Sequence, residues 1–146
     1  MDKKQICIKF AQEICDILDI SVPAIKFVSA DRMRTSTQIA ALTPDAVLIR
    51  NDRNDMTISP ELFFAIAHEL RHSYQIANGA DLKEYQTSDI IGDEKYNLQP
   101  LEVDANAFAA LIMSDFFGIV PRFQNLPESV RNAISSRMEQ IRKEYE

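Results

Sequence analysis

Apolar residues recur at helical spacing near both ends of the chain. One set lies within residues 3–19 and the other within about 127–145. The positions are Ile6, Phe10, Ile14, Ile17 and Leu18 in the first set, and Val130, Ile134, Met138, Ile141 and Tyr145 in the second. Such spacing places the apolar side chains along one side of an α-helix. The sequence therefore predicts an amphipathic helix at each end, the first of which is stopped by Val22-Pro23.

Between these helices, the segment 24–50 predicts β-strands. Residues 24–30, Ala-Ile-Lys-Phe-Val-Ser-Ala, are typical of one short strand. Residues 36–50 predict two strands around Thr43-Pro44-Asp45, a sequence that favours a hairpin turn. The polar residues 51–55 that follow predict a loop.

A further helix is predicted over residues 60–77. The segment 59–61, Ser-Pro-Glu, supplies a capping hydroxyl, a proline suited to the first turn and an acid near the positive end of the helix. Asn78-Gly79 is typical of a helix end. The polar segment 79–99 then predicts a long loop, and a loop of this length in a compact domain is often functional.

One more helix is predicted from near Pro100. It is apolar through Met113 and is expected to end near Gly118. The elements together predict an α+β fold with an N-terminal helix, a three-stranded sheet, two central helices and a C-terminal helix. The length of the chain predicts a single domain over residues 1–146.

Composition and charge argue against several classes of protein. Of the 146 residues 46% are hydrophobic, which is enough for one core, and the formal net charge is −6. An acidic chain without a basic block is a poor candidate for binding nucleic acid or an anionic membrane. No apolar run approaches the length of a membrane span, and polar residues interrupt the N-terminal apolar positions, so no signal peptide is predicted.

The two cysteines, Cys7 and Cys15, lie in the first predicted helix. Eight residues of helix rise about 12 Å, whereas a disulfide requires Cα atoms within about 7 Å, so these thiols are not expected to pair. With no secretion signal, this favours a reducing, cytoplasmic location. The simplest interpretation of both cysteines is that they are small apolar residues on a buried helix face.

The candidate chemistry lies at residues 68–72, His-Glu-Leu-Arg-His. Histidines four residues apart in a helix are separated by about 40° around the axis, so His68 and His72 can hold one tetrahedral zinc ion. Glu69 lies one step around the helix, where it can reach a water molecule on the metal. This His-Glu-x-x-His pattern is typical of zinc peptidases, and it contains both histidines of the chain.

A catalytic zinc ion needs a third protein ligand. The segment 100–111 places two carboxylates on a strongly apolar helix, but Glu102 and Asp104 are about 200° apart around it, so only one can face the metal. Glu102 is the preferred ligand because Asn106, four residues on, shares its face and can hydrogen-bond a ligand histidine. Asp104 is the alternative ligand.

The His-Glu-x-x-His motif, followed by Glu-Val-Asp-Ala-Asn-Ala-Phe-Ala at 102–109, resembles the ImmA/IrrE-type metallopeptidases. Their pattern continues with Glu-x-Glu-Ala-Asn-x-Phe-Ala before an apolar helix. The resemblance covers about 58–115, with three departures: Arg71 replaces a small residue, Asp104 replaces Glu, and Ser114 stands where Pro often follows. The resemblance implies a small gluzincin-like zincin fold, a cytoplasmic bacterial or phage-related setting, and often proteolysis of a regulatory protein.

The expected function is therefore that of a zinc-dependent endopeptidase, with the two histidines and Glu102 as metal ligands. Zinc would lower the pKa of its bound water toward about 7, and Glu69 would take the proton as general base and pass it to the leaving amine. Tyr96 is a candidate donor to the oxyanion. By analogy with zincin folds, an edge strand within 36–50 could hold an extended protein or peptide substrate.

Three alternatives stay open. The first is a non-catalytic zinc-binding regulatory or protein-interaction domain, in which the ligands are the same and Glu69 is idle. The second is a metal-free helical interaction domain, and the third is a peptidase whose site opens only with a partner. The N,N,O ligand set fits zinc better than manganese or iron. The sequence carries no indication of an oligomeric state.

Overall fold

The computed structural model describes residues 2–35, 37–51 and 58–146, which form six α-helices and one three-stranded sheet. The helices are α1 (Lys3–Leu18), α2 (Pro60–Ala77), α3 (Ser88–Ile91), α4 (Asp93–Leu98), α5 (Pro100–Phe117) and α6 (Glu128–Glu144). The strands are β1 (Ala24–Val28), β2 (Ala40–Leu42) and β3 (Ala46–Arg50). The predicted α+β class is confirmed. Residue 36 and most of the loop predicted over 51–55, residues 52–55, lie outside the described residues.

The sheet has the order β1-β3-β2, so the strand that comes last in sequence lies in the middle. β1 pairs with β3 in parallel and β2 pairs with it antiparallel. The predicted hairpin is present between β2 and β3, where the Thr43 hydroxyl oxygen accepts a hydrogen bond of 3.0 Å from the Ala46 amide. The central strand is buried at four consecutive residues, Ala46 to Ile49, because elements cover both of its faces.

α2 and α5 are the two central helices, and they pack along each other. α1 packs on α2, and α6 packs on α5. Residues 104–113 of α5 are all buried, and four of them are alanines, whose small side chains let neighbouring helices approach closely. A helix that is buried all round is expected at the centre of a domain. Among the described residues, no helix has the length and apolar character required to cross a bilayer.

The ends of the central helices follow the sequence signals. The Ser59 hydroxyl accepts a hydrogen bond of 3.2 Å from the Leu62 amide, and Pro60 occupies the first turn of α2. Gly118 ends α5 with a φ of 66°, a left-handed conformation that glycine adopts without steric cost. α6 buries Val130, Ile134 and Ile141 as expected, but Tyr145 lies beyond the end of the helix and is 49% exposed.

The segment 79–99 was expected to be a loop, and this prediction is wrong in part. It contains the helices α3 and α4, which are too short to show a helical period of apolar residues. The Gln99 side chain fastens the segment to the start of α5, because its amide donates to the Gln86 carbonyl at 2.8 Å and accepts from the Gln86 amide at 2.8 Å. Two tyrosines of this segment are thereby held over the N-terminal end of α5.

The burial of both cysteines gives a test of this packing. Cys7 and Cys15 are fully buried in α1, and burial raises the pKa of each thiol to about 11. We expect neither thiol to react with a disulfide reagent such as DTNB in the native protein at neutral pH, because the reactive thiolate is both rare and covered. Both should react in denaturant. Fast reaction of either thiol without denaturant would contradict the packing of α1.

Candidate functional site

The packing of α2 against α5 brings three metal-ligating side chains together. His68 and His72 lie one turn apart on α2, and Glu102 lies in the first turn of α5. The two histidine Nε2 atoms are 3.1 Å apart. Glu102 Oε2 lies 3.2 Å from His68 Nε2, and Glu102 Oε1 lies 3.2 Å from His72 Nε2. These three residues form a group that could hold a metal ion.

The hydrogen-bond partners of the two Nδ1 atoms determine which nitrogen of each histidine ring faces the metal-ligating group. His68 Nδ1 is 2.9 Å from Asn106 Oδ1, and His72 Nδ1 is 2.8 Å from Gln75 Oε1. An amide oxygen can only accept, so each Nδ1 carries the proton in the neutral ring and each Nε2 keeps a lone pair. The expected contact of Asn106 with a ligand histidine is therefore present.

Donor atoms that converge this closely repel one another through their lone pairs unless a proton or a metal cation lies between them. Four ligands at about 2.1 Å from a tetrahedral zinc ion stand about 3.4 Å from each other. The separations of 3.1 and 3.2 Å within the group are close to this value. The donor set therefore fits a small divalent metal ion with one coordination position left open.

The charges at the group also favour a cation. Glu102 is 1% exposed, yet its pKa lies well below the ordinary value. Burial alone would raise that pKa, but hydrogen bonds and charge interactions with the two histidines lower it further than burial raises it. In the same way, burial lowers the pKa of His72, while Glu102 and Glu69 raise it, and the net pKa is above the ordinary value.

Two tyrosines orient the carboxylate of Glu102. The Tyr96 hydroxyl donates to Glu102 Oε1 at 2.9 Å, and the Tyr85 hydroxyl donates to the same oxygen. The structure thus places Tyr96, the candidate oxyanion donor, against the carboxylate of Glu102. Tyr85 was missed by the sequence analysis, since it lies in an irregular segment 17 residues from its partner. Burial and Glu102 raise the pKa of Tyr96 to about 12, so it remains a hydrogen-bond donor.

Glu69 lies beside the metal-ligating group and lines an open cleft. Burial and the nearby Glu102 raise the pKa of Glu69, the two histidines lower it, and the net pKa is above the ordinary value. The cleft has a volume of about 570 Å³ and runs between the start of α2, the β2 segment and the chain after α5. Its lining also includes His68, Asn106, Phe64 and Phe123.

Asp104, the alternative third ligand, points elsewhere. Its carboxylate receives Arg71 Nε at 2.7 Å, Arg71 Nη2 at 3.0 Å and Arg137 Nε at 2.8 Å. Two arginines therefore occupy the oxygens that a metal would need. Arg71 is 1% exposed, and its guanidinium lies over the rings of Tyr74 and Phe108, outside the metal-ligating group.

Comparisons with known proteins gave no match to this chain, whether against protein-family models, curated proteins or solved structures.

The geometry predicts which substitutions abolish metal binding. We expect one zinc ion per chain after reconstitution, and loss of stoichiometric zinc in His68→Ala, His72→Ala and Glu102→Ala, because two remaining ligands hold zinc poorly. Glu128→Ala is the matched control, since Glu128 is likewise an acid in the first turn of a long helix. Elemental analysis of the dialysed proteins provides the measurement. Equal zinc content in Glu102→Ala and Glu128→Ala would refute the assignment of Glu102.

Proposed function

We propose that this chain is a zinc-dependent endopeptidase with a zincin-like fold, related to the ImmA/IrrE-type metallopeptidases. The observation that carries the proposal is the position of Glu69, which lines an open cleft together with His68 of the metal-ligating group. A purely structural zinc site is closed by four protein ligands, whereas the described residues provide three. An open position next to a half-buried carboxylate that lines a cleft is the arrangement that metal-assisted hydrolysis requires.

His68, His72 and Glu102 would hold the metal. Two imidazole nitrogens and one carboxylate oxygen form a ligand set that suits zinc. Zinc bound there would supply Lewis acidity, which polarises the scissile carbonyl and lowers the pKa of a water molecule. Asn106 and Gln75 hold the histidine rings, and the two tyrosines hold Glu102, so the ligands are oriented before any metal arrives.

Glu69 is the general base in this proposal. Its carboxylate takes a proton from the attacking water molecule and transfers it to the nitrogen of the leaving amine, as the C–N bond breaks and a new C–O bond forms. Burial keeps the pKa of Glu69 above the ordinary value, which makes it a better proton acceptor than an exposed carboxylate. The two histidines lower the pKa of Glu69 and so limit this rise.

The edge of the sheet supports a peptide as substrate. Within the hairpin, the Arg50 amide donates to the Ile39 carbonyl and the Thr43 amide donates to the Ala46 carbonyl, each at 2.8 Å. By the alternation of an antiparallel ladder, the backbone groups of Ala40 point away from β3. Ala40 lines the cleft that holds His68 and Glu69. An extended peptide could therefore pair with β2 and pass over the metal-ligating group.

The proposed role of Glu69 predicts the outcome of one substitution. Glu69→Gln keeps the shape of the side chain but cannot accept the proton, so we expect zinc binding and fold to persist while peptide hydrolysis falls by about 10²–10⁴-fold. Glu61→Gln is the matched control, because Glu61 lines the same cleft from the exposed first turn of α2. Zinc-loaded proteins would be incubated with a peptide library, and cleavage followed by mass spectrometry.

The other possible results of this experiment distinguish between the alternative functions. Equal cleavage by wild type and Glu69→Gln would refute the general-base role. Zinc bound at one ion per chain, with no cleavage by any variant, would favour a non-catalytic zinc-binding domain. Failure to bind zinc would favour a metal-free interaction domain.

A further inference from the structure

The side chain of Gln75 can be oriented in one way only. One of its terminal atoms lies 2.9 Å from the Leu101 carbonyl oxygen and 2.8 Å from Asp104 Oδ2, and both of these partners are acceptors. That atom is therefore the amide nitrogen, which donates to both. The Gln75 oxygen must then point the other way, to His72 Nδ1 at 2.8 Å.

Asp104 is the anchor of this arrangement. Its two oxygens accept from Arg71 Nε at 2.7 Å, from Arg137 Nε at 2.8 Å and from the Gln75 amide nitrogen at 2.8 Å, and a carboxylate paired with two guanidinium groups acts only as an acceptor. Arg71 comes from α2 and Arg137 from α6, while Asp104 itself lies on α5. Three helices thus meet at one carboxylate, which in turn holds the Gln75 amide.

We propose that the ion cluster of Arg71, Asp104 and Arg137 positions His72 for metal binding through the amide of Gln75. The inference rests on the proposed metal site, and it assigns Gln75 and Asp104 as positioning residues. With Gln75 held, His72 keeps its proton on Nδ1, and its Nε2 lone pair faces the metal position. Arg71 and Asp104 are also two of the three departures from the pattern of the resembled family, and here they bind each other.

The two ligand histidines are held differently, which provides an internal reference. His68 Nδ1 meets the Asn106 oxygen, and neither residue contacts the ion cluster through the hydrogen bonds described above. Substitutions in the ion cluster should therefore change the tautomer of His72 and leave the tautomer of His68 unchanged. If the ion cluster stabilised only the fold, its substitution would change the tautomers of both histidines equally or change neither.

Two variants test the proposal. Gln75→Leu removes the amide itself. The double variant Arg71→Met with Asp104→Leu removes the buried ion pair without touching His72, and replacing a buried ion pair by apolar residues of similar size often preserves stability. Arg137 keeps partners in the double variant, since its guanidinium also lies 3.2 Å from Glu144 Oε1.

The matched control is a second ion pair between α6 and α5. Arg142→Met with Asp115→Leu makes the same chemical change at an exposed pair, 3.6 Å apart, on the outer side of α5. Circular dichroism and thermal unfolding would establish that each variant is folded.

Two readouts are needed. In the metal-free protein at alkaline pH, ¹⁵N spectra of the histidines report the tautomer of each ring. We expect His72 to carry its proton on Nδ1 in wild type and control, and to become a mixture of tautomers in both test variants, while His68 is unchanged. The zinc dissociation constant should rise about 10–100-fold in Gln75→Leu, as for other partners of ligand histidines, and about 10-fold in the double variant.

The outcomes separate this inference from the proposed function. Folded test variants with the wild-type His72 tautomer and zinc affinity would overturn the positioning role. If the double variant does not fold, the same result in Gln75→Leu alone would overturn it. Wild-type protein that binds no zinc would refute the proposed function, and the tautomer measurement would still decide the positioning role.

Discussion

The site depends on one electrostatic constraint: two imidazole lone pairs and a carboxylate converge within 3.2 Å inside a helix interface. Such a convergence is unfavourable unless a proton or a metal cation lies between the donors. The apolar packing of α2 against α5 is strong enough to bring them together, because α5 is buried along most of its length. The interface supplies the hydrophobic energy, and the convergence makes this interface the candidate metal site.

Two separate sets of polar groups hold the side chains that converge at the candidate metal site. On one side, Tyr85 and Tyr96 donate to Glu102 and fasten the segment 79–99 onto this carboxylate. On the other side, Gln75 links His72 to the buried carboxylate of Asp104. Buried polar groups are costly unless they are paired, so these contacts stabilise the fold and orient the ligands at the same time.

Helical spacing made it possible to predict from the sequence which residues meet in the metal-ligating group. His68 and His72 follow from their four-residue spacing, and Asn106 follows from its place one turn beyond Glu102. The partners that cross between elements did not follow from any local pattern. Tyr85 contacts Glu102 from an irregular segment, and Arg137 reaches Asp104 from a helix 33 residues away. The two short helices were missed for a related reason, since four and six residues are too few to show a period.

The central claim is that a metal ion lies among His68, His72 and Glu102. The most direct measurement is a crystal structure of the zinc-reconstituted protein, with anomalous difference maps collected on both sides of the zinc absorption edge. One peak per chain is expected, about 2.1 Å from Nε2 of each histidine and from one Glu102 oxygen. A map with no peak at that position, from crystals that contain zinc, would contradict the account.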